Sequence, residues 1–411
     1  MKILEQALNK INPIHKKQRY FFITLIQSII GSVGKKNFRN LARYAQIAEH
    51  TFSRQMIKIF DFVSLNLEMI KGYKTDSDVF IAAQDTSFIP KSGKKTQGLD
   101  WRWNGCAGKS EKGLELDAIA AIKVGQEKNE AFTLSAQQTP TNSTEKSQRK
   151  NKETIEKTRI DFALDHVQKI LLKLRELGIK YMVADAFYAK TKYVNGIVNF
   201  DLHVISKMRK DSRFLELFTG TQKARGRRRL ATNVKITEKH FATSEVIKIA
   251  EEQIELRCCI VYSIAFKRRM KVVSVKKNIA KKEAEALLCS TDLELSALQI
   301  YQFYTARFQI EFIFRDAKGF TGLSDCQSRD ARRINYHFNA SLTALNFARL
   351  HDAKNQKIVQ TKYPFSMINL TRQYHVEIVI NRIFCMLGFD LTSIKSHPDF
   401  QKALAFGNVK H

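Results

Sequence analysis

Tyr304-Thr305-Ala306-Arg307-Phe308-Gln309-Ile310-Glu311-Phe312-Ile313-Phe314-Arg315-Asp316-Ala317-Lys318 reads as one helix with a narrow polar stripe. At about 100° per residue, Tyr304, Arg307, Glu311 and Lys318 fall within about 60° of arc. Phe308, Ile310, Phe312, Ile313 and Phe314 cover most of the remaining circumference, which predicts a largely buried helix. Charge on such a helix needs a partner, because bare buried charge is expensive. Arg307 and Glu311 stand at i,i+4 and can pair with each other. The alternative gives Glu311 a metal ion and gives Arg307 and Lys318 phosphates.

Two other stretches weigh on that choice. Val79-Phe80-Ile81-Ala82-Ala83-Gln84-Asp85 and Tyr181-Met182-Val183-Ala184-Asp185 are short apolar runs, each read as a buried strand ending in an Asp. Asp is depleted in strands, so each asks for a reason beyond a turn or cap. With Glu311 they make a three-carboxylate set. Hard divalent cations take oxygen ligands of this kind, and paired cations drive in-line displacement at phosphorus. Asp117 also lies in a strand-like run, but alternation with Glu115 places both on a solvent-facing side and ranks Asp117 below Asp85.

Tyr304-x2-Arg307-x3-Glu311-x6-Lys318 resembles, in all four residues and all three gaps, the Tyr-Arg-Glu-Lys signature of bacterial insertion-sequence transposases of the DDE class. Asp85-Thr86 and Ala184-Asp185-Ala186-Phe187-Tyr188 resemble the two Asp motifs of that class. The resemblance spans roughly residues 80 to 350. It implies a mixed α/β fold with a ribonuclease H-like catalytic core, and Asp85, Asp185 and Glu311 as catalytic metal ligands. It further implies two Mg²⁺ ions, with Mn²⁺ as a substitute, and cleavage of element ends followed by strand transfer. The partners it implies are double-stranded DNA, as transposon ends and as target, and a second copy of the chain in the DNA complex. A DNA endonuclease without strand transfer and an inactive DNA-binding descendant are the alternatives.

The charge balance agrees with a polyanionic partner: 69 Lys and Arg against 40 Asp and Glu leave a formal +29. The longest apolar stretch, Phe21 to Gly34, is interrupted by Gln27 and Ser28 and is too short to span a bilayer, and no leader-like segment follows Met1. Cys106, Cys258, Cys259, Cys289, Cys326 and Cys385 contain no C-x-x-C pair and read as reduced core thiols of a cytoplasmic protein. No phosphate-binding glycine loop points to ATP.

Along the chain, residues 1–75 read as a helical domain. Short helices over Phe38–Tyr44 and Thr51–Phe62 suit a helix-turn-helix, which the resemblance assigns to DNA-end binding. Residues 76–210 form the first part of the core. They include a loop carrying Lys91 and Lys94 toward a phosphate backbone, a meander with alternating Trp101 and Trp103, and a polar stretch over 139–151. A helix from Ile155 to Gly178 and a fifth strand at His203–Ser206 complete this part. Residues 211–297 read as a β-rich basic insertion peaking at Arg225, Arg227, Arg228 and Arg229. Over 207–282 there are about 21 basic and about 7 acidic residues. Residues 298–350 return to the core with the Glu311 helix, and 351–411 form a C-terminal helical region.

Overall fold

A continuous run of apolar and small residues, Phe80 to Ala83, makes Val79–Pro90 (β1) a strand buried on both faces, and the other core strands are laid beside it. The computed structural model describes all residues except 12–13, 126–127, 142–156, 210, 242, 250–251, 280–281, 360–364, 407 and 409–411. Ile155 and most of the expected 139–151 loop lie outside the described residues. Before β1 come five helices: Lys2–Lys10 (α1), Lys16–Gly31 (α2), Phe38–Ala45 (α3), Glu49–Gln55 (α4) and Phe62–Lys71 (α5). The helix expected over 51–62 therefore ends at Gln55, and Phe62 opens the next one. Asp61 accepts from the Ser64 amide at 2.9 Å and starts α5 afresh, which is ordinary N-capping.

Asp100–Asn104 (β2), Lys109–Val124 (β3) and Glu130–Gln138 (β4) follow, then helix Arg159–Glu176 (α6), Tyr181–Ala184 (β5), helix Thr191–Asn199 (α7) and His203–Met208 (β6). The β1, β3 and β4 strands pair antiparallel; β5 and β6 lie parallel to β1 on its other side. The order β4-β3-β1-β5-β6 is the mixed sheet expected of a ribonuclease H-like α/β core. Thr158 and Asp161 close a capping box at the start of α6, and Gly178, at φ 73°, takes the left-handed turn that ends it.

The basic stretch forms Phe214–Leu217 (β7), Ala231–Lys235 (β8), Thr243–Ile249 (β9), Glu252–Ser263 (β10), Arg268–Ile279 (β11) and Lys282–Ser290 (β12). The last of these pairs antiparallel with β6, so the core sheet runs on through it in the order β6-β12-β11-β10-β7-β8. Helices Ala297–Ala306 (α8), Gln309–Gly319 (α9), Ala331–Val359 (α10) and Met367–Met386 (α11) then cover the sheet and the N-terminal helices, and two short helices end the chain. Among the described residues no helix is long and apolar enough to cross a membrane. Only Cys289 and Cys326 of the supposed core thiols are buried; Cys258 and Cys259 are half-buried, and Cys106 and Cys385 are exposed.

Because β4 is an edge strand, its outer backbone groups need partners. Side chains of covering helices supply them. Asn346 in α10 accepts from the Thr133 amide at 2.9 Å and donates to the Thr133 carbonyl at 2.7 Å. Asn339 donates to Ala136 O at 2.9 Å, Arg349 to Ala131 O at 2.8 Å, and Asn66 in α5 to Leu134 O at 3.3 Å. Asn339, Asn346 and Arg349 share one face of α10 by their spacing of seven and three. Replacing Asn346 with Leu should lower stability by about 2–4 kcal/mol, since a buried N–H and C=O lose their partner together. The midpoint of urea denaturation, read by circular dichroism, measures this; an unchanged midpoint would mean the edge is not held by Asn346.

Candidate active site

Asp85 stands mid-strand, opposite Ala118 of β3, and β1 continues to Pro90 rather than ending at the Asp. Asp185 follows β5 directly, where its Oδ1 accepts from the Phe187 amide at 2.9 Å and closes a tight turn. Two adjacent parallel strands thus bring both Asp residues to one end of the sheet. Glu311 arrives from α9. The single helix expected over 304–318 is broken into α8 and α9 at Arg307-Phe308. Both residues keep right-handed helical angles, but the bonds there tighten to i→i+3. The Thr305 hydroxyl donates back to the Tyr301 and Gln302 carbonyls, the kind of back-bonding that bends helices. The expected burial holds only on one side: Ile310, Ile313 and Phe314 are buried, but Phe308 is 49% exposed, edge-to-face with Phe312, and the Arg315 guanidinium lies 4.7 Å from the Phe312 ring.

Arg307 joins two of the three carboxylates. It donates to Asp85 Oδ2 at 2.9 Å and to Glu311 Oε1 at 2.8 Å. The i,i+4 pair with Glu311 is therefore present, and so is a longer-range pair that sequence spacing could not reveal. Arg307 Nε is buried and has no protein partner. The Tyr304 ring lies 6.0 Å from the guanidinium. Burial pushes the Asp85 carboxyl up to about 7; Arg307 pulls it down, while the charges of Asp185 and Glu311 add to the rise. Among the described residues no three His, Cys, Asp or Glu side chains close on a common point. The donor set suits a hard divalent cation, but Arg307 stands between Asp85 and Glu311, so a cation there requires Arg307 and the 40%-exposed Glu311 side chain to part.

Lys318, near the end of α9, is half-buried; burial lowers its pKa, while the Cys106 thiol beside it acts the other way. Lys91 is half-buried and donates to the Cys326 carbonyl, and Lys94 is exposed on the same loop. Arg225, Arg227, Arg228 and Arg229 are exposed on the β7–β8 loop, with Arg229 stacked over Phe218 at 4.9 Å. That loop lies six strand spacings beyond β5, so the structure does not bring these arginines to the three carboxylates.

Glu115 and Asp117 are buried, not solvent-facing. Thr86 of β1 pairs with Asp117, whereas Asp85 pairs with Ala118, so Asp117 points to the opposite face of the sheet from Asp85. There α6 supplies the partners that strand alternation alone cannot disclose. His166 Nδ1 lies 2.5 Å from Asp117 Oδ2, Gln84 donates to the same carboxylate at 2.9 Å and Tyr188 to its other oxygen at 3.2 Å. Glu115 is held between Arg102 and Arg159. Neither Arg102 nor His166 was singled out by sequence. The one signal was Trp101-Arg102-Trp103, whose alternation puts Arg102 inside if the Trp rings are outside.

A family model described as DDE superfamily endonuclease matches residues 4–257. The chain belongs to this family. The match takes in Asp85 and Asp185 and stops before Glu311. No curated protein matches the chain. Membership of the DDE endonucleases supports an enzyme of the nuclease type acting on DNA.

A carboxyl raised in the folded state holds its proton where the unfolded chain has lost it. Between the ordinary Asp value of 3.8 and about 7, folding therefore takes up a proton at Asp85, and stability from this group falls as pH rises through that window. In metal-free protein, Asp85→Asn should flatten the fall in melting temperature across the window; a slope as steep as wild type would show that Asp85 does not carry the proton. Asp117→Asn should instead lower the melting temperature at every pH, by about 1–3 kcal/mol of stability.

Proposed function

We propose that this DDE endonuclease is a DNA transposase that cleaves the ends of an insertion sequence and joins them to target DNA. The observation that carries the reading is the meeting of Asp85, Glu311 and Arg307 beside Asp185, with Glu311 and Arg307 set in the Tyr-Arg-Glu-Lys spacing. Asp85, Asp185 and Glu311 are the residues that would hold two divalent cations, Mg²⁺ or Mn²⁺. When bound, such cations activate an attacking oxygen and stabilise the leaving 3′-oxygen.

The chain's own residues do the rest. Arg307 offers a planar fork that fits a phosphate as well as it fits a carboxylate, and its free buried Nε gives it a further donor to use. In the resting protein it neutralises Asp85 and Glu311; with cations in place the same guanidinium is released to a backbone phosphate. Tyr304 limits where the guanidinium can go. Lys318 adds a second phosphate contact about three turns further along. Lys91, Lys94 and Arg225 to Arg229 serve as outlying backbone contacts, and the α3–α4 pair takes part in end recognition. A second copy of the chain joins the complex when two ends are held together.

Asp85→Asn, Asp185→Asn and Glu311→Gln should each abolish Mg²⁺-dependent cleavage of an end-containing duplex and leave its binding largely intact. Asp117→Asn, on the other face, should cleave at near wild-type rate per folded molecule. Full cleavage by any of the first three removes that residue from the catalytic set. The family description, an endonuclease, favours cleavage without joining as the second reading. Incubating pre-cut ends with a supercoiled plasmid separates the two: joined products support transposition, and cleavage with no joined product supports a nuclease.

A further inference from the structure

We infer that the β2–β3 hairpin and the groove beneath it form a binding site for an unpaired DNA strand next to the carboxylates, with Trp101 and Trp103 stacking on its bases. The inference rests on the DNA reading above and names the form of the substrate. Trp101 and Trp103 are 62% and 63% exposed and alternate with the fully buried Arg102, so both rings stand on one outer face of β2. Large exposed indoles are unusual on a chain whose other big aromatics are mostly inside. Trp101 forms part of the wall of a groove of about 1020 Å³. Lys35, Lys91, Lys109, Lys112 and Arg329 line the same groove. Its acids already have partners: Glu111 accepts from Asn104 at 2.7 Å and pairs with Lys109 of the same groove, and Asp325 accepts from the Lys36 amide at 2.8 Å, which leaves the lining with a net positive charge.

Position ties this groove to the cutting site. Trp101 pairs with Lys112 and Trp103 with Ser110 of β3, which share a face with Ala118, the partner of Asp85, so both indoles stand on the Asp85 face of the sheet. Cations along a groove with aromatic rings beside it are what an unpaired strand requires, because phosphates and open base faces are then satisfied together. A duplex offers the phosphates but hides its base faces. Side chains two apart on a strand stand about 6.8 Å apart, twice the ~3.4 Å rise of stacked bases, a gap that admits one base between the indoles.

The chain has two Trp, so its indole emission reports on this hairpin and nothing else. Full-length protein without divalent metal is titrated with an oligo-dT single strand and with a blunt duplex of equal length, following emission and the anisotropy of labelled DNA. The single strand should quench the emission. The double variant Trp101→Ala with Trp103→Ala should bind the single strand about tenfold to a hundredfold more weakly, keep its melting temperature, and keep its affinity for the duplex. Trp101→Phe with Trp103→Phe should retain most of the single-strand affinity. Quenching by the duplex alone, or undiminished single-strand binding by the double Ala variant, overturns the inference. The catalytic reading is scored separately on Mg²⁺-dependent cleavage: wild type that binds single strands through its Trp pair but never cuts would sink that reading and leave this site standing.

Discussion

The two ion pairs of Arg307 are the constraint on which the site depends. Asp85, Asp185 and Glu311 come from a central strand, the end of its neighbour and a helix more than two hundred residues downstream. Neighbouring carboxylates repel one another, and burial adds to the cost. One guanidinium answers this by pairing with Asp85 and Glu311 at once. To reach both it must sit at the junction of α8 and α9, and the tightened turn at Arg307-Phe308 puts it there. The arrangement remains poised. A buried carboxyl raised to about 7, an unsatisfied Nε and a partly exposed Glu311 would all be relieved if the proposed cation and phosphate were bound.

The elements that built this corner were legible because each combines a strong local pattern with a misplaced charge. Apolar runs with an Asp in or after them announced β1 and β5, and a polar stripe on an aromatic-rich helix announced Glu311. What was hidden depends on contacts between distant segments. Alternation in Leu114-Glu115-Leu116-Asp117 marks two polar positions on one face of β3, but it cannot say whether that face meets water or the Arg159 and His166 side chains of α6. Likewise the basic stretch read as β-rich, yet its joining to β6 rests on the β12 register, which no single strand encodes. The break in the Glu helix is a third case, since the right-handed backbone continues through it and only the bonding changes.

The continuous sheet also bears on how DNA would lie. From β5 to β8 is six strand spacings, about 29 Å, or about eight rises of 3.4 Å along one strand. Under the proposed reading, Arg225 to Arg229 would meet a duplex away from the scissile phosphate and would add affinity and register, not catalysis. On the other flank, the β2–β3 hairpin carries its two indoles on the Asp85 face of the sheet.

The segment between α9 and α10 ties these parts together. The Asp325 carboxylate accepts from the Lys36 amide at 2.8 Å, and Arg333 donates to Ser53 O at 3.0 Å, so the N-terminal helices are fastened to the end of the Glu311 helix. Lys91, just past β1, donates to Cys326 O, and the Gln97 amide to Arg329 O at 3.0 Å, which anchors the strand of Asp85 and the approach to the hairpin on the same loop. Gly322 makes the loop possible. It takes φ 71°, and a Cβ there would lie 2.4 Å from the Lys36 side chain. Lys36 is itself buried, its amine brought down to about 8 by desolvation against the pull of Asp325, so it has little room to yield. The N-terminal helices, the strand of Asp85 and the Glu311 helix are thereby fastened to one loop.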